Sequence, residues 1–208
     1  QAFDLKHLDH RMEVSSSEDK IEITVSNATE LNAAIVQAAT NLNNQYTILI
    51  NGVITGNFEI PLTIHTLKLI SNTDDAALNG NGAGTTLVLD YGAKAYIGNL
   101  IISGAGSLGT GIFSFGYGLF NQGKLEIKGS TISNNQIGGI LSYGTLEISD
   151  TTISDNNGDG IDNEGGNLKI KDSLVSGNAY GIYTTIGSTE LDNVEVKLNT
   201  SGGVYNYY

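Results

Sequence analysis

The segment Asp155-Asn156-Asn157-Gly158-Asp159-Gly160-Ile161-Asp162-Asn163-Glu164 carries four carboxylates in ten residues, the densest acidic spot in the chain. Such a spacing suits three kinds of chemistry. Asp155, Asn157 and Asp159 match the D-x-[DN]-x-[DN]-G opening of a calcium loop, although the twelfth position is Gly166 where that loop carries Glu. Asp159, Asp162 and Glu164 could instead supply the acid pair of a glycoside hydrolase, whose carboxyls flank the scissile bond about 5 to 9.5 Å apart. The third chemistry is recognition. Ten of the fifteen aromatics fall at or after Phe113, and rings interleaved with carboxylates suit glycans, the rings stacking on sugar C–H faces and the acids binding hydroxyls.

What positions these residues is a repeat. Gly123-Lys124-Leu125-Glu126-Ile127-Lys128-Gly129-Ser130-Thr131-Ile132-Ser133-Asn134-Asn135 recurs 21 residues later as Gly144 to Asn156, with every apolar position kept. The series runs on through Leu168, Ile170, Val175 and Asn178, then Thr189, Leu191, Val196 and Asn199. A second anchor keeps the same step at Gly139-Ile140, Gly160-Ile161, Gly181-Ile182 and Gly203-Val204. Apolar residues alternate with polar ones over three to five positions, the signature of short strands, here joined by Gly/Asn turns. A unit this short has no room for a crossover helix, so each strand stacks on its image in the next coil, roughly 4.8 Å away. The expected fold is all-β, a parallel β-helix of about seven coils. Upstream units begin at Ile48, Leu67 and Ala95, and residues 103–117 read as an insertion of about nine residues in the third coil.

This register sorts the candidates. Residues following the inward Ile140, Ile161, Ile182 and Val204 must face outward: Leu141, Asp162, Tyr183 and Tyr205, with Phe120 one coil earlier. Flanking columns hold Tyr117, Gly138, Asp159, Tyr180 and Gly202 on one side, and Gln122, Tyr143, Glu164, Thr185 and Tyr207 on the other. The ligand-binding set is therefore Tyr117, Phe120, Tyr143, Tyr180, Tyr183 and Tyr205. The alternative is that these rings only ladder between coils, a pattern that Asp162 interrupts. Asn135, Asn156, Asn178 and Asn199 form another column, expected to be a buried, inert hydrogen-bonded ladder.

The chain divides into a charged leader over 1–19, a cap over 20–46 and the β-helix over 47–208. In the cap, Ile21, Ile23 and Val25 form a strand. Asn27 and Glu30 then make a capping box ahead of Leu31, Ala34, Ile35 and Ala38, an amphipathic helix suited to covering the first coil. No such helix follows Val204-Tyr205-Asn206-Tyr207-Tyr208, so the last coil could pair with another molecule or with more chain.

Composition excludes several classes. The net charge is −12 and the single Arg is Arg11, which argues against nucleic acid, whose backbone is gripped by Lys and Arg. There is no Cys, hence no disulfide, thiolate site or thiol nucleophile. No apolar run approaches the roughly 20 residues of a membrane span. His7, His10 and His65 have no partnered acids around them, which argues against a zinc or His-based site. The first residue is Gln without a signal segment before it, as expected of a mature form or an excised piece.

The repeated Gly-x-Leu-x-Ile-x-x-x-x-Ile-Ser-x-Asn phrases and Leu78-Asn79-Gly80-Asn81-Gly82 resemble right-handed parallel β-helix proteins of the pectate-lyase-like superfold, over about residues 20–208. Gly181-Ile182-Tyr183 and Gly203-Val204-Tyr205-Asn206 look most like the extracellular bacterial β-helix repeat proteins, whose units read GTLTITNSTISGN followed by GGGIYN. That group includes lyases, hydrolases, epimerases, adhesins and secreted passengers, so the resemblance implies fold and a secreted or cell-surface location more than an activity. For a polyuronate lyase it implies Arg or Lys beside Ca²⁺, whereas Lys169 and Lys171 map to a different strand from the acids. The expected function is an extracellular module binding a polysaccharide, a cell-surface glycan or a partner protein through the Tyr/Asp face. It requires no cofactor, and calcium is the one the pattern admits. The alternative is a polysaccharide-processing enzyme, hydrolase before lyase or epimerase, acting through Asp159, Asp162 and Glu164.

Overall fold

A computed structural model describes residues 19–64, 66–106 and 116–207. The leader before Asp19, His7, His10 and His65, and most of the expected 103–117 insertion lie outside the described residues.

The strands stack in three parallel columns. The first runs through Lys20–Val25, Gln45–Ile50, Leu67–Ser71, Lys94–Gly98, Lys124–Lys128 and Thr145–Ser149 into the long strands Asn167–Ser176 and Ser188–Lys197. The second runs through Val53–Thr55, Ala77–Asn79, Ile101–Ser103, Thr131–Ser133 and Thr152–Ser154 into the second halves of those same long strands. These two columns form one 13-stranded sheet, and the third is a separate sheet of 7 strands from Phe58–Ile60 to Gly202–Asn206. The described residues thus form seven three-strand coils, with Lys20–Val25 adding an eighth layer to the first column. The sequence expectation of an all-β parallel solenoid is met, including the register: Leu125 lies on Leu146, Ile132 on Ile153 and Ile140 on Ile161.

The interior is a set of aliphatic ladders. Ile48, Leu69, Ile97, Ile127, Ile148 and Ile170 stack at one position and are fully or almost fully buried. Each removes an Ile or Leu side chain from water, roughly 1.5–3 kcal/mol apiece. Among the described residues no coil lies over the last one, where Leu191, next in this ladder, is 40% exposed and Val204 of the third column is 53% exposed. At the other end, the helix Ala28–Thr40 packs against Lys20–Val25 and Gln45–Ile50. Its buried residues are Leu31, Ala34, Ile35 and Ala38, the stripe read from the sequence. Asn27 is its N-cap, accepting from the Glu30 N–H at 3.0 Å, while the Glu30 carboxylate reaches back to the Ser26 N–H at 2.8 Å.

The Gly/Asn/Asp turns are left-handed corners. Between the first two columns the corner residues Asn99, Gly129, Asp150, Asp172 and Asn193 have φ of 55°, 62°, 50°, 48° and 51°, a region that Gly, Asn and Asp tolerate best. After the second column the corner passes through Asn134, Asp155, Gly177 and Leu198. Leu198, with φ 56°, has neither a glycine's freedom nor an amide side chain to hydrogen-bond its own turn.

Asn135, Asn156 and Asn178 are buried, as expected of a ladder. Their amides donate along the axis to the next Asn Oδ1, at 2.9 Å for Asn135 to Asn156, 3.0 Å for Asn156 to Asn178 and 3.2 Å for Asn178 to Asn199. Each Oδ1 also accepts a backbone N–H from the coil before, which satisfies donors the turn would otherwise strand.

Candidate functional site

The outer surface of the third sheet gathers most of the sequence candidates. The central outward column is Glu59, Val88, Phe120, Leu141, Asp162, Tyr183 and Tyr205, each paired with the next by strand register.

Not all of it is surface. Phe120, Leu141 and Asp162, expected to face solvent, are 2%, 5% and 8% exposed. They do point away from the solenoid interior, but a second layer of side chains lies on them. Tyr143 sets its ring edge-on to Phe120, centroids 6.0 Å apart. Tyr117 lies along the axis over Gly138, where any Cβ would meet its ring at 2.5 Å, and its hydroxyl donates to Asp162 Oδ2 at 3.2 Å, two coils away. The Phe120 ring is therefore a base for Tyr143 and not a ligand platform.

A similar arrangement occurs farther along. Tyr180 lies over Gly202 and contacts both Tyr183 and Tyr205, centroids 5.9 and 6.0 Å away. Tyr183 and Tyr205 stack on each other at 5.1 Å with planes 9° apart. The laddering alternative thus holds for this one pair, and the three rings form a rigid cluster. Tyr143 remains 47% exposed and Tyr205 43%. Tyr207, whose backbone N–H donates to the Thr184 carbonyl, is 60% exposed.

The carboxylates lie between the two tyrosine groups. Glu164 accepts from the Tyr143 hydroxyl at 2.7 Å, a bond that, with the carboxylate's charge and partial burial, pushes the phenol up to about 12. Burial and the charge of Glu164, with a smaller push from Asp159, lift Asp162 to about 6 against the opposing pull of the Tyr117 hydrogen bond. Its other oxygen, Oδ1, is buried without a hydrogen-bond partner. Burial also raises Asp159, opposed by a hydrogen bond from the Tyr180 backbone. The Tyr117 phenol is held well above its ordinary value by burial and by Asp162.

The raised Asp162 predicts a pH-dependent stability. Between its ordinary value of 3.8 and about 6, the folded protein binds more protons at this site than the unfolded chain does. Stability contributed here therefore falls as pH rises through that window, and the full penalty, about 3 kcal/mol, stands above it. Asp162→Asn should flatten the profile between pH 4 and 6 and make the protein more stable than wild type at pH 7, read by urea denaturation across pH. An unchanged slope in the variant would contradict this assignment.

Asp155 is a left-handed corner residue packed on Gly177 of the next coil. Among the described residues, no three His, Cys, Asp or Glu side chains gather as a metal would require. The sequence reading missed a further acidic pair, Glu59 and Asp90, at the other end of the same face. Burial and the neighbouring, hydrogen-bonded Asp90 carboxyl raise Glu59. The cue available was the outward position after the inward Phe58 and the irregular early coils concealed it.

Lys169 and Lys171 belong to the first sheet column, as expected, far in register from the acids. Lys169 pairs there with Glu190 at 3.0 Å, one of several exposed pairs on that side.

The known family whose description is a right-handed β-helix region matches residues 51–208, more than half of the chain. The chain belongs to the right-handed β-helix family. Comparison of this β-helix with curated proteins and with solved structures gave no match. No helix among the described residues is long and apolar enough to cross a membrane.

Proposed function

We propose that this β-helix is a secreted or cell-surface carbohydrate-binding module that engages a polysaccharide or cell-surface glycan through Tyr143, Tyr180, Tyr183 and Tyr205 and the adjoining carboxylates. The observation that carries this reading is the partly exposed cluster of Tyr180, Tyr183 and Tyr205, packed ring on ring beside Asp159 and Asp162, with Glu164 held by Tyr143 one coil away. Rings already fixed by one another lose little freedom on binding, and their hydroxyl edges and the carboxylates can exchange hydrogen bonds with sugar hydroxyls.

One observation favours a second reading, a polysaccharide-processing enzyme. A carboxyl lifted to about 6 with an acid two residues on, as at Asp162 and Glu164, is the pairing from which hydrolases draw a proton donor and its partner. The same carboxyl is almost fully covered, which favours the binding module.

A glycan array combined with a reducing-end release assay separates them. Binding without turnover, weakened by about tenfold or more in Tyr205→Ala, is the expected result. Product release by wild type that Asp162→Asn abolishes would establish the enzyme. Binding to no saccharide would overturn both.

A further inference from the structure

The two sheets differ in how their acids are compensated. Every described lysine lies on a strand of the 13-stranded sheet, where acids find partners such as Lys124 with Glu147 at 3.4 Å and Lys169 with Glu190 at 3.0 Å. The outer face of the 7-stranded sheet carries Glu59, Asp90, Asp159, Asp162 and Glu164, and no Lys, Arg or His among its described residues. Tyrosine hydroxyls serve its acids instead, Tyr117 for Asp162 and Tyr143 for Glu164. A phenol donates a hydrogen bond but brings no positive charge, so the repulsion among these carboxylates is left standing.

Asp162 shows the deficit most directly. It is 8% exposed, and Oδ1 lies buried without a donor, in the field of Asp159 and Glu164. A buried carboxylate oxygen lacking a partner is the arrangement that a cationic donor relieves. The flanking rings add to the preference, since the π-faces of Tyr143 and Tyr205 attract cations.

We infer that this face selects a cationic glycan, a polymer of amino sugars with free amines, held with its ammonium groups against Asp159 and Glu164 and its sugar rings against the tyrosines. This rests on the glycan-binding reading above and adds the charge of the ligand. A neutral glycan would satisfy hydroxyl and ring contacts yet leave the carboxylates facing one another. A polyuronate would add its own negative charge to theirs and be repelled.

Calorimetric titration of the full chain with four probes tests it: chitohexaose, fully N-acetylated chitohexaose, hexagalacturonate and hexalysine. The expected order is chitohexaose at least about tenfold tighter than the N-acetylated form, with a preference that shrinks as salt is added, and no binding of hexagalacturonate. The pair Asp159→Asn and Glu164→Gln together, whose amides still exchange hydrogen bonds with sugar hydroxyls, should erase the difference between the two hexaoses and its salt dependence. Equal affinity for both hexaoses, or a preference for hexagalacturonate, overturns the charge inference and leaves glycan binding standing. Binding of hexalysine alone overturns it in favour of a basic protein, and binding of none of the four overturns the glycan reading itself.

Discussion

Asn156→Ala is expected to destabilise the protein by about 3–5 kcal/mol, measured by urea denaturation. The Asn156 side chain accepts from the Asn135 N–H at 3.2 Å and from its amide at 2.9 Å, and donates to Ile132 O at 3.1 Å and to Asn178 Oδ1 at 3.0 Å. Truncation strands all four partners inside a column that is 1–2% exposed, where water cannot replace the lost bonds. Each stranded group costs its own desolvation, roughly 1–3 kcal/mol before the neighbours relax. Asn199→Ala is the matched comparison. Asn199 also accepts from the coil before it, at 3.0 and 3.2 Å, but it stands in the partly exposed last coil. Water can enter there, so its loss should cost only about 1 kcal/mol. Equal losses at the two sites would show that the ladder does not depend on exclusion of water.

Gly144→Ala carries the second large effect, about 3 kcal/mol or more, arising from space alone. Gly123, Gly144, Gly166 and Gly187 stack at the corner leading from the third sheet back to the first. A Cβ on Gly144 would sit 2.1 Å from the Gly123 carbonyl oxygen, and one on Gly166 would sit 1.8 Å from that of Gly144. The obstacle is backbone held by the ladder, so no rotamer change relieves it and the coil itself must shift. Gly82 provides the contrast: it has φ +71° but nothing within 4 Å of a built Cβ. Gly82→Ala should therefore cost only the conformational strain, about 1 kcal/mol. A Gly144→Ala protein as stable as Gly82→Ala would mean that the coils slide freely past one another.

These two columns also indicate why the fold was readable. A solenoid writes its contacts into the sequence as a period, so the 21-residue recurrence of Leu125, Ile127, Ile132 and Asn135 amounts to a contact list between coils. The capping helix was readable for a local reason, the Asn27 and Glu30 pair ahead of an apolar stripe. The site was legible only in part. Alternation assigned Phe120, Leu141 and Asp162 to the outer side of their strands correctly, but alternation does not report whether another side chain lies on top. That depended on Gly138, whose missing side chain lets Tyr117 lie flat and reach Asp162 across two coils. A tyrosine one coil before a glycine in the same column, repeated at Tyr180 and Gly202, is the cue that could have shown it. Asp155 has a structural role that spacing alone did not reveal: it makes a left-handed corner, a conformation that Asp, Asn and Gly tolerate best.

The central claim is that saccharide binds on the tyrosine and carboxylate face of the third sheet, and tyrosine ring signals in NMR spectra test it most directly. Titrating ring-labelled protein with chitohexaose should shift Tyr143, Tyr180, Tyr183 and Tyr205, while Tyr46 and Tyr96 on the first sheet and Tyr91, 82% exposed at a corner, stay in place. Shifts confined to Tyr91 or Tyr96, or no ring shift at saturating saccharide, would contradict the account.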